Sequence, residues 1–301
     1  MKKLLIIGAN GFTGRQMLND YSNQPEYSVT GCSLHPDIVV SNHTGNYHFI
    51  TADIQDETAM ANIFEQVQPD VVINCSALSV PDYCELHHEE AYRINVTAVA
   101  RLAQLCQSHG SRFIHLSTDF VFDGKMDEKS GQLYTENDIP DPVNYYGFTK
   151  WKSEEEVAAI CSNYAIVRVE IVYGKALPGQ HGNIVELVMN RLRAGQEIRV
   201  VSDQWRTPTY VADISNGVQR LIENPLNGIF HICGDECMTI ADIAFQVASC
   251  MQLDSSLIHP VSTEEMKEAT PRPRFSGMSI EKAQKLLNYQ PQKLKQVLMD
   301  W

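Results

Sequence analysis

A doubly wound, parallel α/β sheet with a smaller C-terminal α/β lobe is what this sequence predicts, on three observations. Short apolar runs alternate with amphipathic segments through the first half. A glycine-rich turn follows the first apolar run directly. The regular alternation fades after Gly174. Segments 4–7, 28–34, 47–52, 71–77, 113–117 and 165–173 read as strands. Several are continuously apolar, as strands covered on both faces must be. The clearest helix is 87–109, where Ala91, Ile94, Ala98, Leu102 and Leu105 recur at spacings of three and four. Strand–helix alternation of this kind implies right-handed βαβ units. Beyond Gly174, 182–194 reads as helix, 198–201 as a short strand, and 239–250 and 279–288 as amphipathic segments. We therefore expect a first domain over 1–173 and a second lobe over 174–301, with about 211–230 returning to the first domain. Segment 119–144 has no periodicity and is rich in Asp, Glu, Gly and Pro. A structureless stretch of that length is often functional.

The composition narrows the function classes. At 301 residues and 44% hydrophobic content the chain can bury a full core. Lys and Arg number 24 against 37 Asp and Glu, a formal charge of −13. An acidic surface repels phosphate backbones, so a nucleic-acid partner is not expected. An anionic substrate would need a local cationic cluster. The apolar run before Gly8 is too short for a signal sequence. No run of about 18 apolar residues is present to span a membrane. The eight cysteines form no C-x-x-C pair and sit mostly in apolar runs, which suits reduced thiols in a cytoplasm.

Three motifs carry chemistry. Gly8-Ala9-Asn10-Gly11-Phe12-Thr13-Gly14 lies between the first strand and a helix. Glycines there permit a tight turn and let backbone N–H groups approach a pyrophosphate at the positive end of a helix. Gly8, Asn10, Gly11, Phe12, Thr13 and Gly14 are the candidate cofactor contacts in this turn. The second motif is Tyr146-Gly147-Phe148-Thr149-Lys150. Residues four apart share a helix face. An ammonium beside a phenol favours the phenolate and draws its pKa down from about 10, so Tyr146 can serve as a general acid or base. The third is Ser117-Thr118-Asp119 at the end of the fifth strand, where open α/β sheets bind ligands. A Thr118 hydroxyl there can donate to a carbonyl oxygen; the bland reading is a strand-end turn.

Together these motifs resemble the dTDP-4-dehydrorhamnose reductase family of extended short-chain dehydrogenases, with its Rossmann fold. The likeness extends over nearly the whole chain. Its most specific stretches are Ser117-Thr118-Asp119-Phe120-Val121-Phe122-Asp123-Gly124 and Pro142-Val143-Asn144-Tyr145-Tyr146-Gly147-Phe148-Thr149-Lys150. The resemblance implies that Thr118, Tyr146 and Lys150 form the catalytic set, Lys150 also holding the nicotinamide ribose. It implies a structural role for Asn95, an adenine border at Asp53 and Ile54, and a cofactor wall at Cys75, Ser76 and Ala77. The regulatory β subunit of methionine adenosyltransferase is related, and its Pro-Asp segment is similar to Pro81-Asp82 here. A dinucleotide-binding regulatory subunit is therefore the alternative to an enzyme.

The departures fall on the substrate side. The family usually has Tyr where Phe120 stands, often has Trp within the segment 168–174, and tends to carry Gly where Arg206 stands. A nucleotide-sugar 4,6-dehydratase is set aside, because it would carry Glu at Phe120. Arg206 and Arg272 are candidate anchors for a substrate diphosphate, with surface salt bridges as the bland reading. Asp82 could touch substrate or cap the 87–109 helix. His87-His88-Glu89-Glu90 reads as a solvated helix start, and no metal site is expected.

The cofactor expectation leans to NADPH, with NADH as the alternative. NAD-specific folds usually place an acid at the end of the second strand. Here that end reads Gly31-Cys32-Ser33-Leu34-His35, with no acid before Asp37. Ser33 and His35 tolerate a 2′-phosphate, but no Arg follows the strand to clamp it. The expected substrate is a 4-keto deoxysugar on a nucleoside diphosphate, foremost dTDP-4-dehydrorhamnose. A homodimer is compatible with this reading.

Overall fold

The computed structural model describes residues 1–38, 47–126, 131–180 and 182–301. Its centre is a seven-stranded sheet. The strands are β1 (Lys2–Ile7), β2 (Tyr27–Ser33), β3 (Tyr47–Thr51), β4 (Val71–Asn74), β5 (Arg112–Thr118), β6 (Tyr164–Val169) and β7 (Gly228–His231), in the order β7-β6-β5-β4-β1-β2-β3. Every pairing is parallel. The order reverses between β1 and β4, and that switch point opens a crevice at the strands' carboxyl ends.

The period of two along β1 shows why both faces are apolar. Leu4 and Ile6 pack with Met17, Leu18 and Tyr21 of α1 (Phe12–Ser22) and with Ile214 and Leu221. Leu5 and Ile7 turn the other way, onto Phe64 of α2 (Glu57–Val67) and Leu102. All four are fully or almost fully buried. Each such side chain contributes roughly 1.5–3 kcal/mol relative to an exposed one.

The helical segment beginning at 87 differs from one continuous helix. After α3 (Pro81–Leu86), α4 covers only His88–Tyr92, a π turn covers Arg93–Thr97, and α5 resumes over Ala98–His109. Such single-turn widenings are frequent at functional sites. This one carries buried Asn95, which binds the backbone of Leu78 at both its N–H and its C=O and donates to Thr149 Oγ1. Asn95 thereby ties the exit of β4 to α6 (Tyr145–Ile160).

The strand read over 165–173 stops at Val169. Glu170 is buried and takes its donors from Thr207, and Ile171 adopts φ +37°, so the backbone turns out of the sheet. Val172–Tyr173 then pairs with Thr209–Tyr210. Within 119–144 the described residues hold a 3-10 turn at Asp119–Val121 and isolated bridges from Lys125 to Phe275 and Tyr134 to Met278. Residues 127–130 of that segment lie outside the described residues.

The remaining chain forms a second core. α7 (Ile184–Arg193) and α9 (Ile240–Cys250) pack Val188, Leu192, Ile243 and Val247 against a parallel pair, Ile198–Val201 with Ile258–Val261. Between them in sequence, α8 (Val211–Glu223) and β7 return to the sheet, α8 packing beside α1. Every cysteine is a free thiol. Among the described residues, no helix is long and apolar enough to cross a membrane, and no side-chain cluster is suited to hold a metal ion.

Candidate active site

The glycine turn leaves β1 at Gly8, whose φ of +80° needs glycine. The N–H groups of Gly8 and Ala9 both donate to the Cys32 carbonyl, at 2.9 and 3.0 Å. A Cβ on Gly8 would lie 2.7 Å from the Ser76 nitrogen, and one on Gly14 would lie 2.3 Å from the Gly8 oxygen. The turn thus packs too closely for side chains, with Cys75 and Ser76 as its wall. The N-cap of α1 is Gly11, which offers no side-chain acceptor, and the first turn carries no acid. First-turn donors left without a cap, at the positive end of a helix, suit a pyrophosphate. Phe12 faces Gly174, and Gln180 Nε2 donates to the Asn10 carbonyl at 3.0 Å, so the second lobe touches the turn.

Around the same crevice, Ser33 ends β2 and Asp53-Ile54 follow β3. Asp53 accepts from the Gln55 backbone at 2.8 Å. Asn74, at the end of β4, accepts from Ser76 N and Oγ at 3.1 and 2.6 Å, and Cys75-Ser76-Ala77 run on from it. These residues come from different strands and meet because parallel strands end on one side.

The region after β2 is met by an arginine that no local pattern places there. Arg15, from α1, reaches across to it. Its Nη2 donates to Asn10 Oδ1 at 2.8 Å and pairs with Asp37 Oδ1 at 2.5 Å. The side chain is 2% exposed, and its Nε and Nη1 have no hydrogen-bond partner. Asn10 Nδ2 in turn donates to the carbonyls of His35 and Pro36. The first acid after β2 is therefore already paired with a cation. The only sequence signal was an Arg directly after the third glycine, one residue outside the motif.

Thr118 closes β5, and α6 starts over it. Asn144 caps α6 through Gly147 N at 2.9 Å. A Cβ on Gly147 would lie 2.0 Å from the Phe120 carbonyl oxygen, so glycine lets α6 lie directly on the residues after Thr118. Tyr146 lies beside Thr118, and its ring meets Phe120 edge to face at 5.8 Å. Thr118 Oγ1 donates to Asp119 Oδ1 at 3.0 Å and accepts from Phe120 N at 3.2 Å.

Lys150 lies one turn along and is buried. Its Nζ donates to the Leu116 carbonyl at 2.7 Å and lies 3.1 Å from His115 Nε2. Burial pushes its ammonium down to about 8. The phenol of Tyr146 is pushed up, by burial first and then by the charge of Asp119. The expected lowering of Tyr146 by Lys150 is therefore not seen here: the lysine is turned inward, and a carboxylate lies behind Thr118.

Arg206 departs furthest from expectation. It is 1% exposed, lies 3.8 Å from Asp119 Oδ2 and 3.7 Å from Glu170 Oε1, and gives its terminal nitrogens to the carbonyls of Trp205, Pro273 and Arg274. It is neither a surface salt bridge nor presented to a ligand, because two buried carboxyls hold it inside. Arg272 is 34% exposed and pairs with Glu268 at 3.3 Å. Asn144 Nδ2 donates to the Pro271 carbonyl at 2.9 Å, which seats the Arg272 segment against the start of α6. Asp82 lies in the first turn of α3, so it does not cap the helix at 88, and its Oδ1 is buried without a partner.

With this geometry in view, the chain compares as follows. The family model described as RmlD substrate binding domain matches residues 1–301. The chain belongs to that family. A methionine adenosyltransferase 2 subunit beta from Danio rerio is 29% identical over 291 residues, covering 95% of this chain and 85% of that protein. The spore coat polysaccharide biosynthesis protein SpsK of Bacillus subtilis is 32% identical, covering 93% of this chain and 89% of its own length. Among solved structures, a dTDP-4-dehydrorhamnose reductase from Bacillus anthracis in complex with NADP superposes with a TM-score of 0.86 at 28% identity. That match covers 100% of this chain and 98% of the other. Family membership, the uncapped glycine turn and the Tyr146/Lys150 pair beside the carboxyl end of β5 mark this chain as an NAD(P)H-dependent oxidoreductase of the extended short-chain type.

Proposed function

We propose that this chain reduces the 4-keto group of a deoxysugar carried on a nucleoside diphosphate, with dTDP-4-dehydrorhamnose as the foremost substrate and NADPH as the preferred cofactor. The observation that carries the reading is Tyr146 beside Thr118 at the carboxyl end of β5, its ring against Phe120, with Lys150 one turn away. When bound, the nicotinamide supplies hydride to the C4 carbonyl carbon. Tyr146 donates its proton to the carbonyl oxygen, the Thr118 hydroxyl turns from Asp119 to hold that oxygen, and Lys150 binds the nicotinamide ribose. Arg272 anchors the diphosphate and Asp82 meets the sugar. Residues 1–173 with about 211–230 hold the cofactor, and the rest of 174–301 closes over the sugar.

NADPH oxidation with dTDP-4-dehydrorhamnose and a panel of other 4-keto nucleotide sugars tests this. Turnover with at least one is expected. The 29% identity to an adenosyltransferase β subunit supports a second reading, a regulatory subunit that binds NADPH. Cofactor binding without turnover on any panel member, together with co-purification of a methionine adenosyltransferase, would establish that reading instead.

Arg15 supports the NADPH preference, because two of its buried donors have no partner. A hydrogen bond to a charged group contributes about 1.5–3 kcal/mol, or roughly 10–100-fold in affinity. Arg15→Gln should weaken NADPH binding by about that factor and leave NADH binding nearly unchanged, as read by fluorescence titration. An equal loss for both cofactors would remove Arg15 from this role.

A further inference from the structure

Behind Thr118 lies a buried cluster that the proton transfer to substrate does not use. Asp119 is 3% exposed, Glu170 1% and Ser276 0%. Ser276 Oγ lies 2.6 Å from Asp119 Oδ2 and 2.8 Å from Glu170 Oε1. A serine hydroxyl has one proton to give, so it can donate to only one of these oxygens. The other contact is a hydrogen bond only if that carboxyl carries a proton and donates it to Ser276. The outer oxygens are already engaged. Glu170 Oε2 accepts from Thr207 N and Thr207 Oγ1, and Asp119 Oδ1 accepts from Thr118 Oγ1.

The charge count agrees. One cation, Arg206, faces both carboxyls. A buried cluster of two acids and one guanidinium is neutral only with one proton added, and an uncompensated buried charge is strongly unfavourable. The other titratable groups facing the pair are the thiols of Cys233 and Cys237, both pushed up by burial and so uncharged, and Tyr146. Burial pushes both carboxyls upward as well.

We propose that Asp119 and Glu170 hold one proton between them through Ser276, with the proton on the Glu170 side, and that the negative charge left on Asp119, next to Thr118, keeps Tyr146 in its protonated, proton-donating form. Asp119 and Glu170 are positioning residues here: they act on substrate only through Tyr146 and Thr118. A carboxylate beside a phenol opposes phenolate formation, so Tyr146 is set as a donor for reduction. The inference rests on the reading of Tyr146 as the acid, but its test needs no substrate. Its failure is therefore separate from failure of the substrate panel.

Two measurements on the full chain carry the test. The first is infrared spectroscopy near neutral pH. The wild type should show the carbonyl stretch of a buried carboxylic acid, and Glu170→Gln and Asp119→Asn should each lack it. The second is ultraviolet titration of tyrosinate, with Tyr146→Phe subtracted to isolate the one phenol. Asp119→Asn leaves the one negative charge on Glu170, on the far side of Ser276 from Thr118, and should ionise Tyr146 at a lower pH. A wild-type spectrum without the acid band, a band that survives in both variants, or an unmoved Tyr146 titration would each overturn the proposal. Should either carboxyl variant fail to fold, Ser276→Ala serves instead. It keeps both acids and removes the bridge, so the band must shift in frequency, and an unshifted band refutes the sharing.

Discussion

Tyr146→Phe should lower turnover by about 10²–10⁴-fold, the range a positioned general acid contributes, while cofactor affinity stays near the wild-type value. The reasoning is local. The substitution keeps a ring that meets Phe120 edge to face, and it removes only the hydroxyl. The elements that build the cofactor crevice, the turn from Gly8 to Gly14 and the ends of β1 to β4, are untouched. Lys150 is held by the Leu116 carbonyl and lies beside His115, so its place does not depend on the phenol. The check is steady-state turnover on whichever nucleotide sugar the substrate panel identifies, with NADPH titration beside it. Retention of most of the activity would mean that another group supplies the proton. A parallel collapse of NADPH affinity would mean that the phenol also shapes the cofactor site.

Arg168→Met should destabilise the protein by about 3–5 kcal/mol, the range for removing one partner of a buried ion pair. Arg168 stands on β6 and Glu154 on α6. Nε and Nη2 of the arginine meet the two carboxylate oxygens at 2.9 and 2.6 Å, a bidentate fork. Arg168 is 1% exposed and Glu154 3%, so water cannot replace the lost donor. The guanidinium also lies over the Phe122 ring at 5.0 Å. Glu154→Gln combined with Arg168→Met should recover much of the loss, because the stranded charge is then gone. Urea unfolding of the single and double variants reads both effects. A loss below about 1 kcal/mol in Arg168→Met, the scale of an exposed pair, would show that the pair is solvated. Because α6 carries Tyr146 and Lys150, the single variant should also be less active well below its melting temperature.

Local order along the chain was enough for the sheet and for where the candidate residues lie on it. A continuously apolar strand followed at once by a glycine turn has few other solutions. An i, i+4 Tyr–Lys pair faces one way on any helix, and a hydroxyl at the end of a parallel strand lies at the ligand-binding edge. Those relations span a few residues each, so no tertiary knowledge is needed to see them.

What the local pattern could not supply is the partner of each charged side chain. Arg206 read as a phosphate anchor because a guanidinium can bind phosphate bidentately. Only the fold brings Glu170 and Asp119 to it and turns it inward. Ser276 is 157 residues from Asp119 and 106 from Glu170, and no spacing rule joins them. Arg15 meets Asp37 across 22 residues because α1 packs back along β2. The π turn at Arg93–Thr97 and the bend at Ile171 have the same origin: Asn95 and Glu170 are buried polar groups, and the backbone departs from regular geometry where their hydrogen bonds require it. Periodicity reports which side of an element is apolar. Which buried charges neutralise one another depends on distances between elements far apart in sequence, and those distances exist only after the chain has packed.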